Sequence, residues 1–258
     1  FRRVLFRSTG IFSQLEFHKL FDNYIREVDN YFLNFKYDIV IVPKTSIKNT
    51  TKLQQELFDE FLTSPNSHTS KFQELWQTRD IDDINSMFEF QPTPLQDIKL
   101  PQAILDKHFI QVPQRSQEWL ALQEFYKTGT NNHNFKKTME GYYNLIRGAI
   151  TENILINILD LPGYDKVIPG ILVTEKDKKG TLGCSPDLLF VKDNEIIPVE
   201  IKTLPSLTKT QDYYNKFELA QKQLESISDI LGSELVINKM IIMSAWTGDN
   251  LVYEIHTY

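Results

Sequence analysis

Residues 183–203 read GCSPDLLFVKDNEIIPVEIKT, and the fold follows from how this stretch doubles back on itself. Leu188 to Val191 and Ile196 to Ile201 are apolar and rich in β-branched residues, with the polar tetrapeptide Lys192-Asp193-Asn194-Glu195 between them. Two such runs around residues that tolerate positive φ predict a β-hairpin. With Asp193-Asn194 as a two-residue loop, Lys192 faces Glu195 and, counting outward, Asp187 faces Glu200. Directly opposed β-carbons lie about 4.5–5.5 Å apart, so two carboxylates would meet at the open end of the hairpin. Carboxylates held that close share a proton or hold a cation. Lys202, two residues past Glu200 on the same strand face, adds a third charge. A divalent metal suits this trio better than a shared proton. Pro198 points the other way, since it has no N–H for the ladder and marks an edge strand or a bulge that would shift the register by one. In a chain that is 24% charged, an isolated E-x-K also describes an ordinary solvated strand face. The functional reading therefore draws on other segments.

With 258 residues, 41% of them hydrophobic, the chain can bury a core and reads as one large domain or one domain with an appendage. The single cysteine, Cys184, excludes an intramolecular disulfide, and without a C-x-x-C or a His/Cys cluster no structural zinc is expected. No apolar run approaches the roughly 20 residues that span a bilayer, and no signal-peptide pattern is present. The expectation is a soluble, intracellular protein with no membrane partner. A net charge of −6 speaks against a protein that coats nucleic acid, but not against an enzyme acting on it.

The opening FRRVLFRS has neither a helical nor a strand period and is set aside as extraneous. Helical periodicity covers Ile11 to Phe35, Asn49 to Leu62 and Lys71 to Phe88, with a short strand from Tyr37 to Val42 ended by Pro43. Gln91 to Pro101, with three prolines, reads as a linker. Residues 1–100 are thus a mainly helical accessory region without a chemical motif. From residue 101 onward Phe109 to Pro113 is extended, Ser116 is placed to cap a helix whose apolar face starts at Trp119, and Lys127 to Thr130 is a polar turn. Lys136 to Leu161 is the strongest helix, ended by Pro162-Gly163, and the stripe Leu145, Ala149, Glu152, Ile156, Leu159 sets Glu152 among apolar residues. Val167 to Thr174 predicts a strand before the charged turn Glu175 to Gly180. Asp212 to Leu231 is a second long helix, with Phe217, Ala220, Leu224, Ile227 and Leu231 on one side, Gln221 beside them and Gly232 as the stop. Lys239 to Trp246 and Leu251 to Tyr258 are two strands around Thr247 to Asn250. Helix, strands, helix, strands is an α/β order.

With these pieces placed, the chain from about Pro113 onward resembles the PD-(D/E)xK nucleases, and among them the lambda exonuclease or YqaJ-type viral recombinase family. The resemblance rests on QRSQEW followed by KTGT, RGAITEN, CSPD then EIK, and AQKQ, in the family's order. It implies a restriction-endonuclease-like core, a mixed central β-sheet flanked by helices, over residues 101–258. It further implies that Asp187, Glu200, the backbone carbonyl of Ile201 and Glu152 hold Mg²⁺ or Mn²⁺, one or two ions, with Lys202 as the catalytic lysine and Gln221 completing the site. Thr130 falls where the family often has a serine contacting the terminal phosphate. The family's usual arginine in the Trp119 helix aligns with Gln123, leaving Arg115 or Lys127 as candidates to bind the 5′ phosphate in its place.

The function implied is hydrolysis of DNA to leave 5′ phosphates, by a 5′-to-3′ exonuclease on duplex ends in viral or phage recombination or genome processing. A trimer and a single-strand annealing partner are implied with it. The alternatives are an endonuclease of the same fold, restriction-like or RNA-degrading, and an inactive nuclease fold that binds DNA or serves assembly. Because relatives continue past the last strand, a fragment ending at Tyr258 is expected.

Overall fold

The computed structural model describes residues 36–43, 46–47, 59, 73–74, 77, 89–116, 118–122, 139–174, 183–247 and 250–258. The hairpin forms in the expected register. Strands β5 (Leu188–Lys192) and β6 (Glu195–Leu204) pair antiparallel from Lys192↔Glu195 to Leu188↔Val199, and Asp193 takes the left-handed turn conformation with φ 52°. No bulge interrupts the ladder. Lys192–Glu195 closes the turn as a hydrogen-bonded pair, and such pairs alternate with non-bonded ones. Pro198, opposite Leu189, therefore falls at a non-bonded position, with its nitrogen turned toward the next strand, β7 (Met240–Thr247). The β7 ladder begins only one residue later, at Val199↔Met240. Proline at this place removes no ladder bond.

Around this hairpin a mixed six-stranded sheet runs in the order β1-β8-β7-β6-β5-β3, with β1 at Lys36–Pro43, β3 at Asp165–Val167 and β8 at Asn250–Thr257. β6 and β7 are parallel, while β3–β5, β5–β6 and β7–β8 are antiparallel. A parallel pair needs a crossover, supplied here by helix α3 (Gln211–Leu231). Thr210 caps α3 by accepting from the Tyr213 amide, and Gly232 ends it at φ 93°. Helix α1 (Gln102–His108) and strands β2 (Phe109–Ile110) and β4 (Ile171–Leu172) stand beside the sheet, with β2 and β4 paired antiparallel.

The long helix α2 (Met139–Ile158) covers one face. There Ile197, Val199, Ile201, Met240, Ile242, Leu251 and Tyr253 meet Tyr143, Ile146, Ile150 and Ile154 in one apolar cluster. Side chains alternate across a strand, so Glu200, Lys202, Glu254 and His256 belong to the opposite face, the one packed by α3.

Three expectations change. Val167 to Thr174 is not one strand: it splits into β3 and β4, in different sheets, at Gly170. That glycine has φ 70° and lies so close to the Ile110 carbonyl that a β-carbon there would stand 2.4 Å from its oxygen. The buried face of α2 is wider than the expected stripe: Ala149, Ile156 and Leu159 are buried as expected, Leu145 is exposed, and Tyr143, Ile146, Ile150 and Ile154 join the core. Gln91 to Pro101 is not a free linker, because Ile98 and Leu100 are buried, the Thr93 amide donates to the Ile168 carbonyl and the Ile168 amide to the Thr93 hydroxyl, each at 2.9 Å.

By contact density the chain divides into Phe1–Tyr37 and Asp38–Tyr258. The boundary expected near residue 100 falls inside the second unit, where Phe90 belongs to the main core. The helices expected within Ile11 to Phe35, and most of those within Asn49 to Leu62 and Lys71 to Phe88, lie outside the described residues, as does the turn Glu175 to Gly180. Among the described residues no helix is long and apolar enough to cross a membrane.

Candidate active site

The β5–β6 ladder stops at Leu188↔Val199, one pair short of Asp187 and Glu200. The reason is Pro186. The next bonded pair would join residue 186 to Ile201, and a proline has no N–H to give the Ile201 carbonyl. Asp187 takes the other half of that pair with its side chain, Oδ2 accepting from the Ile201 amide at 2.7 Å. The carboxylate is thereby fixed beside Glu200, and the alternation of the ladder turns the Ile201 carbonyl toward the same gap.

Glu200 is 2% exposed. Its Oε1 accepts from the Lys202 ammonium, while Oε2 is buried with no hydrogen-bond partner of normal geometry. From α2, Glu152 enters the same electrostatic neighbourhood, acting on Asp187, Glu200 and Lys202. Its helix is held in rotation by Thr151, which is fully buried: the Thr151 hydroxyl donates to the Arg147 carbonyl at 2.8 Å and accepts from the Trp246 indole of β7 at 2.9 Å.

Burial raises Asp187 well above the usual carboxylate range, and the charges of Glu152 and Glu200 raise it further, against Lys202 and the Ile201 amide. Glu200 is raised for the same first reason, with Lys202 and a hydrogen bond from Gln223 working against it. Burial alone would lower Lys202, but Glu200, Asp187 and Glu152 together hold its ammonium charged beyond the ordinary range. Burial with the Glu200 charge pushes the Cys184 thiol up to about 12, which leaves it an inert neutral group.

The segment 114–116 closes the site from outside the hairpin. Gln114, 2% exposed, exchanges backbone hydrogen bonds with Phe90 and sends its side-chain amide to Ser185 Oγ at 3.1 Å and the Pro186 carbonyl at 3.3 Å. It thus pins the two residues that precede Asp187. Arg115 follows with φ 69°, and its guanidinium donates to Glu152 Oε2. Ser116 then caps the next helix, as its position predicted, by accepting from the Trp119 amide at 3.1 Å.

Of the residues singled out in the sequence, Asp187 bonds Ile201 and Glu200 bonds Lys202, while Glu152, bonded by Arg115, acts on them through its charge. Gln123, Lys127 and Thr130 lie outside the described residues. The glutamine that bonds Glu200 is Gln223, the second of AQKQ, while Gln221 is half-buried on the same helix. Gln114 and Gln223 are the residues that sequence reasoning missed.

Among the described residues no group of three or more His, Cys, Asp or Glu forms a ready metal site. The donor set still fits a hard divalent cation. It consists of carboxylate and carbonyl oxygens with no soft ligand, and Glu200 Oε2 is a buried acceptor without a donor. Compared with protein-family profiles, curated proteins and solved structures, the chain matches none.

Proposed function

We propose that this protein is a Mg²⁺- or Mn²⁺-dependent deoxyribonuclease with a restriction-endonuclease-like core, acting as a 5′-to-3′ exonuclease on duplex DNA ends in viral or phage recombination. The observation that carries the reading is the meeting of Glu152, Asp187, Glu200 and Lys202 where the hairpin opens. Three acids beside one charged lysine, two of them forced above their ordinary pKa, are a poor way to stabilise a fold and a useful way to gather a cation against phosphate.

Asp187, Glu200 and the Ile201 carbonyl would hold the ion, with Glu152 behind them. When bound, it supplies a more acidic water and offsets charge on the scissile phosphate. The chain's own part is positioning. The Lys202 ammonium donates a hydrogen bond to the attacking water or to a phosphate oxygen. The Gln223 or Gln221 amide orients whichever of these lies toward α3. Cleavage of the P–O3′ bond leaves a 5′ phosphate. A homotrimer and a single-strand annealing partner belong to the same reading through the family resemblance.

An endonuclease of the same fold is the second reading, favoured by Gln123 standing where an end-binding arginine is expected. Incubating linear and covalently closed duplex with the protein and Mg²⁺ separates the two: an exonuclease degrades only the linear form. Degradation no faster than that by Asp187→Ala would overturn both and leave an inactive DNA-binding or assembly module.

A further inference from the structure

We propose that Arg115 is the built-in counter-cation of the acidic centre: its guanidinium holds Glu152 while no divalent cation is bound, and binding of the cation displaces it from that carboxylate. The inference rests on the metal-dependent reading above and concerns how the acidic centre is kept folded before a cation binds.

The first support is the backbone. Arg115 is one of two non-glycine residues with positive φ among those described, at 69°. Its neighbours hold it there, Gln114 through the bridge to Phe90 and the bonds to Ser185 and Pro186, and Ser116 through its cap on Trp119. Backbone held in a sparsely populated region by its surroundings is a feature that clusters at functional sites.

The second support is the side chain. It is 20% exposed, lies 5.6 Å from the centroid of the Phe90 ring and donates to Glu152 Oε2. Its Nε is buried and unpartnered. Charge therefore fixes the guanidinium more than a full set of hydrogen bonds does.

The third support is the competition this creates. Glu200 has spent one oxygen on Lys202, and its other is buried with only the Gln223 amide, short of normal hydrogen-bond geometry, acting on the carboxylate. Glu152 has spent one on Arg115. A cation drawn to these acids meets two resident positive charges. Lys202 has a place in the hydrolysis itself, whereas Arg115, while it sits on Glu152, opposes the newcomer.

Titration calorimetry of the full chain with Mn²⁺ tests this. Arg115→Gln removes the charge while keeping an amide N–H donor, and should bind Mn²⁺ about tenfold more tightly than the wild type. Arg115→Lys should stay near the wild type. Equal or weaker binding by Arg115→Gln overturns the proposal and leaves the metal reading standing, whereas no Mn²⁺ binding by either protein overturns both. A second measurement needs no variant. The Arg115 Nε–Hε signal of ¹⁵N-labelled wild type should shift and exchange faster with water as Mg²⁺ saturates. A signal indifferent to saturating Mg²⁺ contradicts the displacement.

Discussion

Two lysine–glutamate pairs stand on the same face of the sheet, two strands apart. Lys202 is in register with Met243, and Met243 with Glu254, so Glu254 lies about 10 Å from the Glu200–Lys202 row, with buried Ile241 and Met243 between. Glu254 has every reason to be ionised. Its Oε2 accepts from Lys209 and from the Tyr213 hydroxyl at 2.5 Å each, and meets His256 Nε2 at 3.2 Å. Burial pushes its pKa up, but the hydrogen bonds from His256, Lys209 and Tyr213 overcome this and bring it to about 2. Glu200 has one cation, two acidic neighbours, an unpartnered oxygen and a raised pKa. One pair is surrounded by donors and closes α3 onto β8. The other has Asp187 and Glu152 beside it, and the Gln223 and Ile201 amides do not offset their charge. Equal residues on one face thus separate into a satisfied pair and an unsatisfied one by what surrounds them.

Exchanging the two glutamates in turn is the strongest way to break this contrast. Glu200→Gln should lower Mg²⁺-dependent DNA hydrolysis by about 10³-fold, an effect typical of removing one main electrostatic contact in an active site, and leave the urea midpoint unchanged or higher. Glu254→Gln should do the reverse, costing about 3 kcal/mol of stability by undoing a buried, fully donated carboxylate, while the folded fraction cleaves at the wild-type rate. Equal stability losses from the two would erase the distinction.

Gln114→Ala tests whether the approach to Asp187 is held from outside the hairpin. Losing the bonds to Ser185 and Pro186 should cost about 1–3 kcal/mol by urea titration, with a further drop in cleavage per folded molecule that Gln114→Glu does not rescue.

Acid sharpens the contrast through its sign. Glu254 has a folded pKa of about 2, below its unfolded value of about 4.3. The stability it contributes is complete above the unfolded pKa and is lost as pH falls through the folded one. The gap between wild type and Glu254→Gln should therefore be full near about pH 6 and closed near about pH 2. Asp187 and Glu200 are raised, so their ionisation opposes folding at neutral pH and acid relieves it. Variants neutralised at either should lose their advantage over the wild type as pH falls.

The sequence was legible where few conformations compete. Asp193-Asn194 left one short turn, and that turn set the whole β5–β6 register, Asp187 beside Glu200 included. Pro198 looked like a warning because its effect depends on which neighbour its nitrogen faces, and that is settled by the strand pairing. The width of the buried face of α2 was hidden because Leu145, Ile146, Ala149, Ile150, Ile154, Leu155, Ile156 and Ile158 are apolar nearly all round the helix. The choice between Gln221 and Gln223 was hidden for a geometric reason: at 3.6 residues per turn they flank the Phe217-Ala220-Leu224-Ile227 stripe by about 80° on either side. Gln114 carried a signal in QRSQEW, but its role depends on a contact with residues some seventy positions away, which no local pattern encodes.

The central claim is that acids crowd together at the open end of the hairpin in order to gather a cation. Asp187→Asn tests it most directly, because the amide oxygen can still accept from Ile201 while the charge is gone. Thermal melting at neutral pH, with and without Mg²⁺, should show the variant melting above the wild type in chelator and gaining little from Mg²⁺, while the wild type gains clearly. A variant that melts lower in chelator and gains as much from Mg²⁺ as the wild type would contradict the account.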